Sequence, residues 1–122
     1  METDRKVEFR ARTKRYAGSI VRLFCALPRR RDEVLVLGRQ MLRSGTSVAA
    51  NYREASRARS SAEFIAKVEL CAQEADETLL WLELLRDDCD LHLPQLESAL
   101  TETNELIAIF VTMSKNAKRS PS

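Results

Sequence analysis

Glycine and proline are scarce in this chain, with only three of each in 122 residues. A sheet with many tight turns draws heavily on both, so their scarcity, beside abundant Ala, Leu, Glu and Arg, favours long helices on short connections. No apolar run approaches the roughly 18 residues that a membrane span needs. The longest is Leu106 to Val111. The first residues, Met1-Glu2-Thr3-Asp4-Arg5-Lys6, lack the apolar segment of a signal peptide. A cytoplasmic protein is expected. Cysteine is limited to Cys25, Cys71 and Cys89, an odd number at scattered spacings that suits reduced, structural thiols.

Histidine is nearly missing too, and with it most catalytic chemistry. His92 is the only one. Cys89-x-x-His92 with Asp88 and Asp90 amounts to half a metal site, with no second Cys/His pair to complete a zinc shell. The Glu-x-x-His pairs of di-iron bundles do not occur, nor does a glycine-rich nucleotide loop or a Ser/His/Asp set with a credible base. The sequence therefore reads as that of a non-enzyme without cofactor or metal.

What is present is helical periodicity. A chain of this length fits one domain that buries roughly two-thirds of its unfolded surface. Phe9, Thr13, Tyr16, Ile20, Leu23 and Leu27 step by 4 and 3 along a first helix, about 7–27, which Pro28 ends. Asp32 is the expected N-cap of a second helix, about 33–57, with Val34, Leu37, Met41, Gly45, Val48, Tyr52 and Ala55 inward. Gly38 and Gly45 cost about 1 kcal/mol each there relative to Ala. Close helix packing is the expected compensation. Ser60-Ser61-Ala62-Glu63 forms a capping box opening a third helix, about 61–86, with Phe64, Val68, Cys71, Ala75, Thr78, Leu82 and Leu85 inward. Pro94 suits the first turn of a fourth, about 94–114, built on Leu96, Leu100, Thr103, Ile107 and Phe110. A flexible tail, 115–122, follows. These spacings predict an all-α, antiparallel, up-down-up-down four-helix bundle.

Net charge is +2, but the halves differ sharply. Residues 1–60 carry 15 Lys/Arg against 6 Asp/Glu, and residues 61–122 carry 5 against 12. Such segregation serves pairing between helices one and two and helices three and four, or presents a basic surface to a polyanion. At about 100° per residue, Arg39, Arg43, Arg53 and Arg57 fall within about 80° of one another, opposite the core stripe of helix two. Arg15, Arg22 and Arg29 recur at heptad spacing along helix one and its end. The two sets suggest one arginine strip for phosphates, read by backbone and shape. Ordinary solvated faces are the bland alternative. Phe9 and Tyr16 lie on the core stripe, which leaves base stacking unsupported.

Helix three carries a second stripe beside its core: Leu70, Glu74, Glu77, Trp81 and Leu84, with Glu63 at its start. It is either a broad core face or a subunit interface anchored by Trp81, with Glu74 and Glu77 open to a neighbour's arginines.

Two segments carry a family likeness: Gly45-Thr46-Ser47-Val48-Ala49-Ala50-Asn51-Tyr52-Arg53-Glu54-Ala55, and Glu74-Ala75-Asp76-Glu77-Thr78-Leu79-Leu80-Trp81-Leu82-Glu83-Leu84-Leu85. Together they resemble the four-helix-bundle proteins of the 23S rRNA intervening-sequence-protein family. The resemblance implies the bundle fold, a bacterial origin and homo-oligomeric rings, typically pentamers. It also implies kinship with accessory proteins of diversity-generating retroelements, and so a reverse transcriptase as a possible partner. Asn51 and Glu54 match the family's Asn-x-x-Glu signature. At the edge of the core they are expected to join a buried network that fixes helix register. Three roles remain open: binding structured nucleic acid, RNA favoured, through the arginines; a protein-interaction scaffold; or arginines that serve assembly itself.

Overall fold

The computed structural model describes residues 3–119. It contains four helices, α1 (Asp4–Ala26), α2 (Asp32–Ser56), α3 (Ser61–Asp87) and α4 (Pro94–Arg119), and no strand among the described residues. Residues 115–119, expected in a loose tail, continue α4, and 120–122 lie outside the described residues.

Each helix end follows from local chemistry. Thr3 caps α1, its hydroxyl accepting from the Lys6 amide at 3.2 Å, so the helix begins three residues earlier than the apolar stripe predicts. Leu27, held before Pro28, adopts φ −69 and ψ 145 and stops it. Asp32 is not the cap of α2 but its first residue, with Arg31 in the cap position and no side-chain cap bond. Its carboxylate still favours the positive end of the helix dipole. Arg31 meanwhile crosses to the α3–α4 connection and donates to the Cys89 carbonyl at 2.8 Å. At α3, Ser60 Oγ accepts from the Glu63 amide at 3.1 Å as expected. Glu63 reaches back one residue further than a standard capping box, accepting from the Arg59 amide at 3.1 Å.

Cross-helix contacts establish the antiparallel order. Arg10 near the start of α1 meets Ser56 at the end of α2, and Glu69 early in α3 takes Lys118 late in α4. The aromatic cluster of Phe9, Tyr52 and Phe110 fills one end, with ring centroids 4.7 to 6.3 Å apart. Gly38 and Gly45 do mark close packing. A Cβ on Gly38 would lie 2.7 Å from Leu27 Cδ1, and one on Gly45 2.9 Å from Ile20 Cγ2. Val34, Met41, Val48, Val68, Cys71, Leu82, Leu85 and Leu96 are fully buried. Leu37 and Ile107 are only partly covered, and Leu106 takes the central α4 position expected for Ile107.

Halfway along the bundle the apolar core gives way to hydroxyls, one from each helix. Tyr16 Oη lies 2.7 Å from Thr103 Oγ1, and Ser44 Oγ lies 2.7 Å from Thr78 Oγ1. None is more than 2% exposed. Burial pushes the Tyr16 phenol up to about 12. Ser44, Thr78 and Thr103 also bond main-chain carbonyls of their own helices, so this layer satisfies its polar groups in a dry interior.

Candidate nucleic-acid interface

The seven arginines singled out by periodicity are all exposed, but they do not form one strip. Arg15 and Arg22 turn toward α4, where both line a recess with Pro94, Gln95, Ser98 and Glu102. The Arg22 guanidinium also lies over Gly18, 3.3 Å from where a Cβ would stand. Arg43 turns the other way, toward α3, pairing with Glu77 at 3.3 Å and approaching Glu74 at 3.9 Å. Arg29 sits in the α1–α2 connection. Arg39, Arg53 and Arg57 remain on the outer face of α2, with no acidic partner among the described residues.

Asn51 and Glu54 do not build a shared buried network. The Asn51 amide donates to the Ser47 carbonyl one turn back at 3.0 Å. Glu54, exposed, takes Lys67 of α3 at 2.8 Å. The polar layer that does cross the bundle uses Tyr16, Ser44, Thr78 and Thr103 instead. Its residue types gave little warning, because a Ser or Thr on an apolar stripe also occurs bonded only to its own helix.

Along the α3 stripe, Leu70 is 40% exposed, whereas Glu74, Glu77, Trp81 and Leu84 are partly covered. The acids that were expected to await a neighbour are met by Arg43 of the same chain. Two atoms are left over. Glu74 Oε2 and Trp81 Nε1 are buried without a hydrogen bond, the 3.9 Å approach of Arg43 being a charge contact too long to count as one. Burial, reinforced by Glu77 and opposed by Arg43, raises the Glu74 carboxyl above its ordinary range.

Antiparallel folding converts the charge difference between sequence halves into something else. Acids of α3 and α4 neutralise part of the basic half at mid-bundle: Glu102 accepts two bonds from Arg12, at 2.8 and 2.9 Å, and Glu77 takes Arg43. The remaining cations gather where the start of α1, the end of α2, the start of α3 and the end of α4 meet. Residues 3–12, 52–67 and 110–119 hold eleven Lys/Arg against four Asp/Glu, with Arg12 and Lys118 among the eleven taken by Glu102 and Glu69 just outside these ranges. The opposite end, residues 20–40 and 82–98, holds six against seven.

At this basic end a groove of about 840 Å³ opens between α1 and α4. Its floor is apolar and aromatic, with Phe9, Tyr52, Phe64, Ile109 and Met113, and its rim carries Arg5, Lys6, Arg12 and Arg15 with one acid, Glu8, among them. A smaller recess of about 320 Å³ adjoins it, sharing Lys6 and Phe64 and adding Arg59 and Ser60. Periodicity placed Phe9 and Phe64 in the core. Both are only partly buried, packed against the core beneath the groove.

The thiols and the lone histidine stand apart from this end. Cys71 donates to the Val48 carbonyl at 3.8 Å, and burial pushes its thiol up to about 12. Cys89 is buried, and His92 lies exposed, 2.7 Å from Asp90. Asp90 itself has φ 58, turning the chain between α3 and α4. Among the described residues no group of three His, Cys, Asp or Glu could hold a metal, and no helix is long and apolar enough to cross a membrane.

A family model described as 23S rRNA-intervening sequence protein matches residues 5–112, and the chain belongs to that family. Among solved structures, a protein of unknown function from the S23 ribosomal protein family of Bacteroides thetaiotaomicron is similar at 37% identity and a TM-score of 0.78. The match covers 87% of this chain and 97% of that one. No curated protein matches the sequence.

Proposed function

We propose that this member of the 23S rRNA-intervening sequence protein family is a non-enzymatic, cytoplasmic protein that binds structured nucleic acid through the basic end of its bundle. The carrying observation is that end's excess of cations, eleven against four, together with the lack of acidic partners for Arg5, Arg53, Arg57 and Arg59, and for the adjoining Arg15, among the described residues. Uncompensated like charge opposes compact folding, and a polyanion relieves that repulsion. Arginine suits phosphate through its fork of donors. The family's description, which ties it to sequences intervening in 23S rRNA, favours RNA over DNA.

The test is a binding titration of a structured RNA hairpin across a salt series. Affinity is expected to fall steeply, with a log–log slope of about −0.9 for each phosphate neutralised. Reversal of Arg53, Arg57 and Arg59 to Glu is expected to weaken binding at least about tenfold and to flatten the slope by roughly 2 to 3, while reversal of Arg29 and Arg39 does far less. Unchanged RNA and DNA binding by the first variant, with its helix content intact, would sink the assignment.

A second reading concerns α3. Leu70 stands 40% exposed beside the partly covered Trp81 and Leu84, an apolar stripe that gains from cover by another chain. Self-association through Leu70, Glu74, Glu77, Trp81 and Leu84 fits that need, with the arginine end left clear. Docking of a different protein, such as a polymerase, is the alternative use of the same face.

A further inference from the structure

The groove at the basic end has a floor that phosphate binding alone does not require. A surface that only neutralises a polyanion needs cations, whereas here half-exposed rings lie between them. Phe64 presents its face outward, with the Lys6 ammonium 5.5 Å from the ring centroid. Arg12 sits 5.9 Å from the centroid of Phe9. A cation over a ring face shows that no side chain from the core is packed there. Phe9 is fixed from behind by edge contacts with Tyr52 and Phe110, which makes the floor rigid.

We propose that this groove takes one unpaired nucleobase, extruded from a bulge or loop, which stacks on Phe64 while Arg5, Lys6, Arg15 and Arg59 hold the flanking phosphates. The inference rests on the nucleic-acid reading above and adds what part of the RNA is chosen. Each element of the site has a matching need. An aromatic face attracts any base, and base–aromatic stacking exceeds the exposed cation–π contact that it displaces. The displaced Lys6 ammonium is then free to reach a phosphate. About 840 Å³ falls within the range of small-molecule sites. The adjoining recess, which carries Arg59 and shares Phe64, continues the cationic wall in the direction of the backbone. An acidic amphipathic helix would meet the same charges. The Phe64 ring, shared by the groove and the recess that adjoins it, with cations on both sides, favours a flat base flanked by phosphates over a continuous helical ridge.

Three hairpins of identical stem test this: fully paired, with a single bulged adenosine, and with an abasic residue at the bulge. The bulged adenosine is expected to bind at least about fivefold tighter than either of the others. In Phe64→Leu, which keeps the apolar volume and removes the ring, that difference is expected to collapse. Lys6→Met provides a second variant, expected to weaken all three hairpins through lost charge. Equal affinity for the adenosine and abasic bulges overturns base occupancy and leaves phosphate binding standing. Equal affinity for the adenosine and abasic bulges, together with displacement of all three hairpins by an acidic helical peptide, assigns the groove to a protein helix. Failure of all three hairpins to bind removes both readings.

Discussion

Tyr16 is the clearest example of one residue doing several physical jobs. Its ring belongs to the apolar core, while its hydroxyl spans to Thr103 across the α1–α4 seam, where helix contacts are sparsest. Burial opposes ionisation, so the folded state holds the phenol neutral up to about 12, against 10.0 for the free group. Cys71 behaves alike, from 9.0 to about 12. In both cases the raised value means that stability is full below the unfolded value and is lost as pH climbs toward the folded one. The protein is therefore expected to weaken between about pH 9 and 12, with about 3 kcal/mol lost to Tyr16 alone across its window. Urea midpoints at pH 8 and pH 11 measure the loss. Tyr16→Phe, costing about 1 kcal/mol at neutral pH through the lost hydrogen bond, is expected to narrow the gap between those midpoints. An unchanged gap would assign the alkaline loss elsewhere.

At the scale of the element, α1 and α2 approach closely because α2 offers glycine twice at heptad spacing. The two glycines are not equivalent. Gly38 faces Leu27 Cδ1, the far end of a flexible side chain that can turn aside from an added methyl, with the Phe24 ring next at 3.3 Å. Gly45 faces Ile20 at Cγ2 and Cγ1, 2.9 and 3.0 Å away, on a β-branched side chain with little freedom at χ1. Gly38→Ala is expected to raise the melting temperature, gaining up to about 1 kcal/mol of helix propensity. Gly45→Ala is expected to lower it, the overpacking cost of about 1–3 kcal/mol exceeding that gain. Thermal melts of the two variants should move in opposite directions, and a shared sign would contradict the difference in contact.

The helices themselves were readable from spacing because a 4–3 repeat of buried residues leaves few alternatives, as the stripe from Val68 through Leu85 illustrates. Their ends were less so. Thr3 lies outside the apolar stripe that marks α1, and Asp32 resembles a cap by residue type although Arg31 occupies that position. Site residues were harder still. Helical wheels place Arg15, Arg22 and Arg43 on outer faces, yet a wheel carries no information on which neighbouring helix a long side chain will meet. Phe9 and Phe64 keep the core register while standing at its last layer, so pattern alone counts them as interior.

For the molecule as a whole, the two proposals assign different parts of the surface, the α3 face to assembly and the basic end to nucleic acid. If α3 joins copies, Trp81→Ala is expected to reduce the mass seen by light scattering, since aromatic anchors dominate the energy of such interfaces. An unaltered mass would remove self-association through this face. High salt is expected to matter less to assembly than to RNA binding, because buried contacts are screened far more weakly than exposed charge.

The axial position of the cations also fixes a posture. Helices of 23 to 27 residues make a rod roughly 35 to 40 Å long, with its excess of cations at one tip. Such a rod stands on a nucleic acid like a post rather than lying along it. Its footprint is then the cross-section of four helices, about 20 Å, or some six nucleotide steps. On the proposed reading the site it would mark on RNA is short, and what extends into solvent is a column whose sides stay open to other chains.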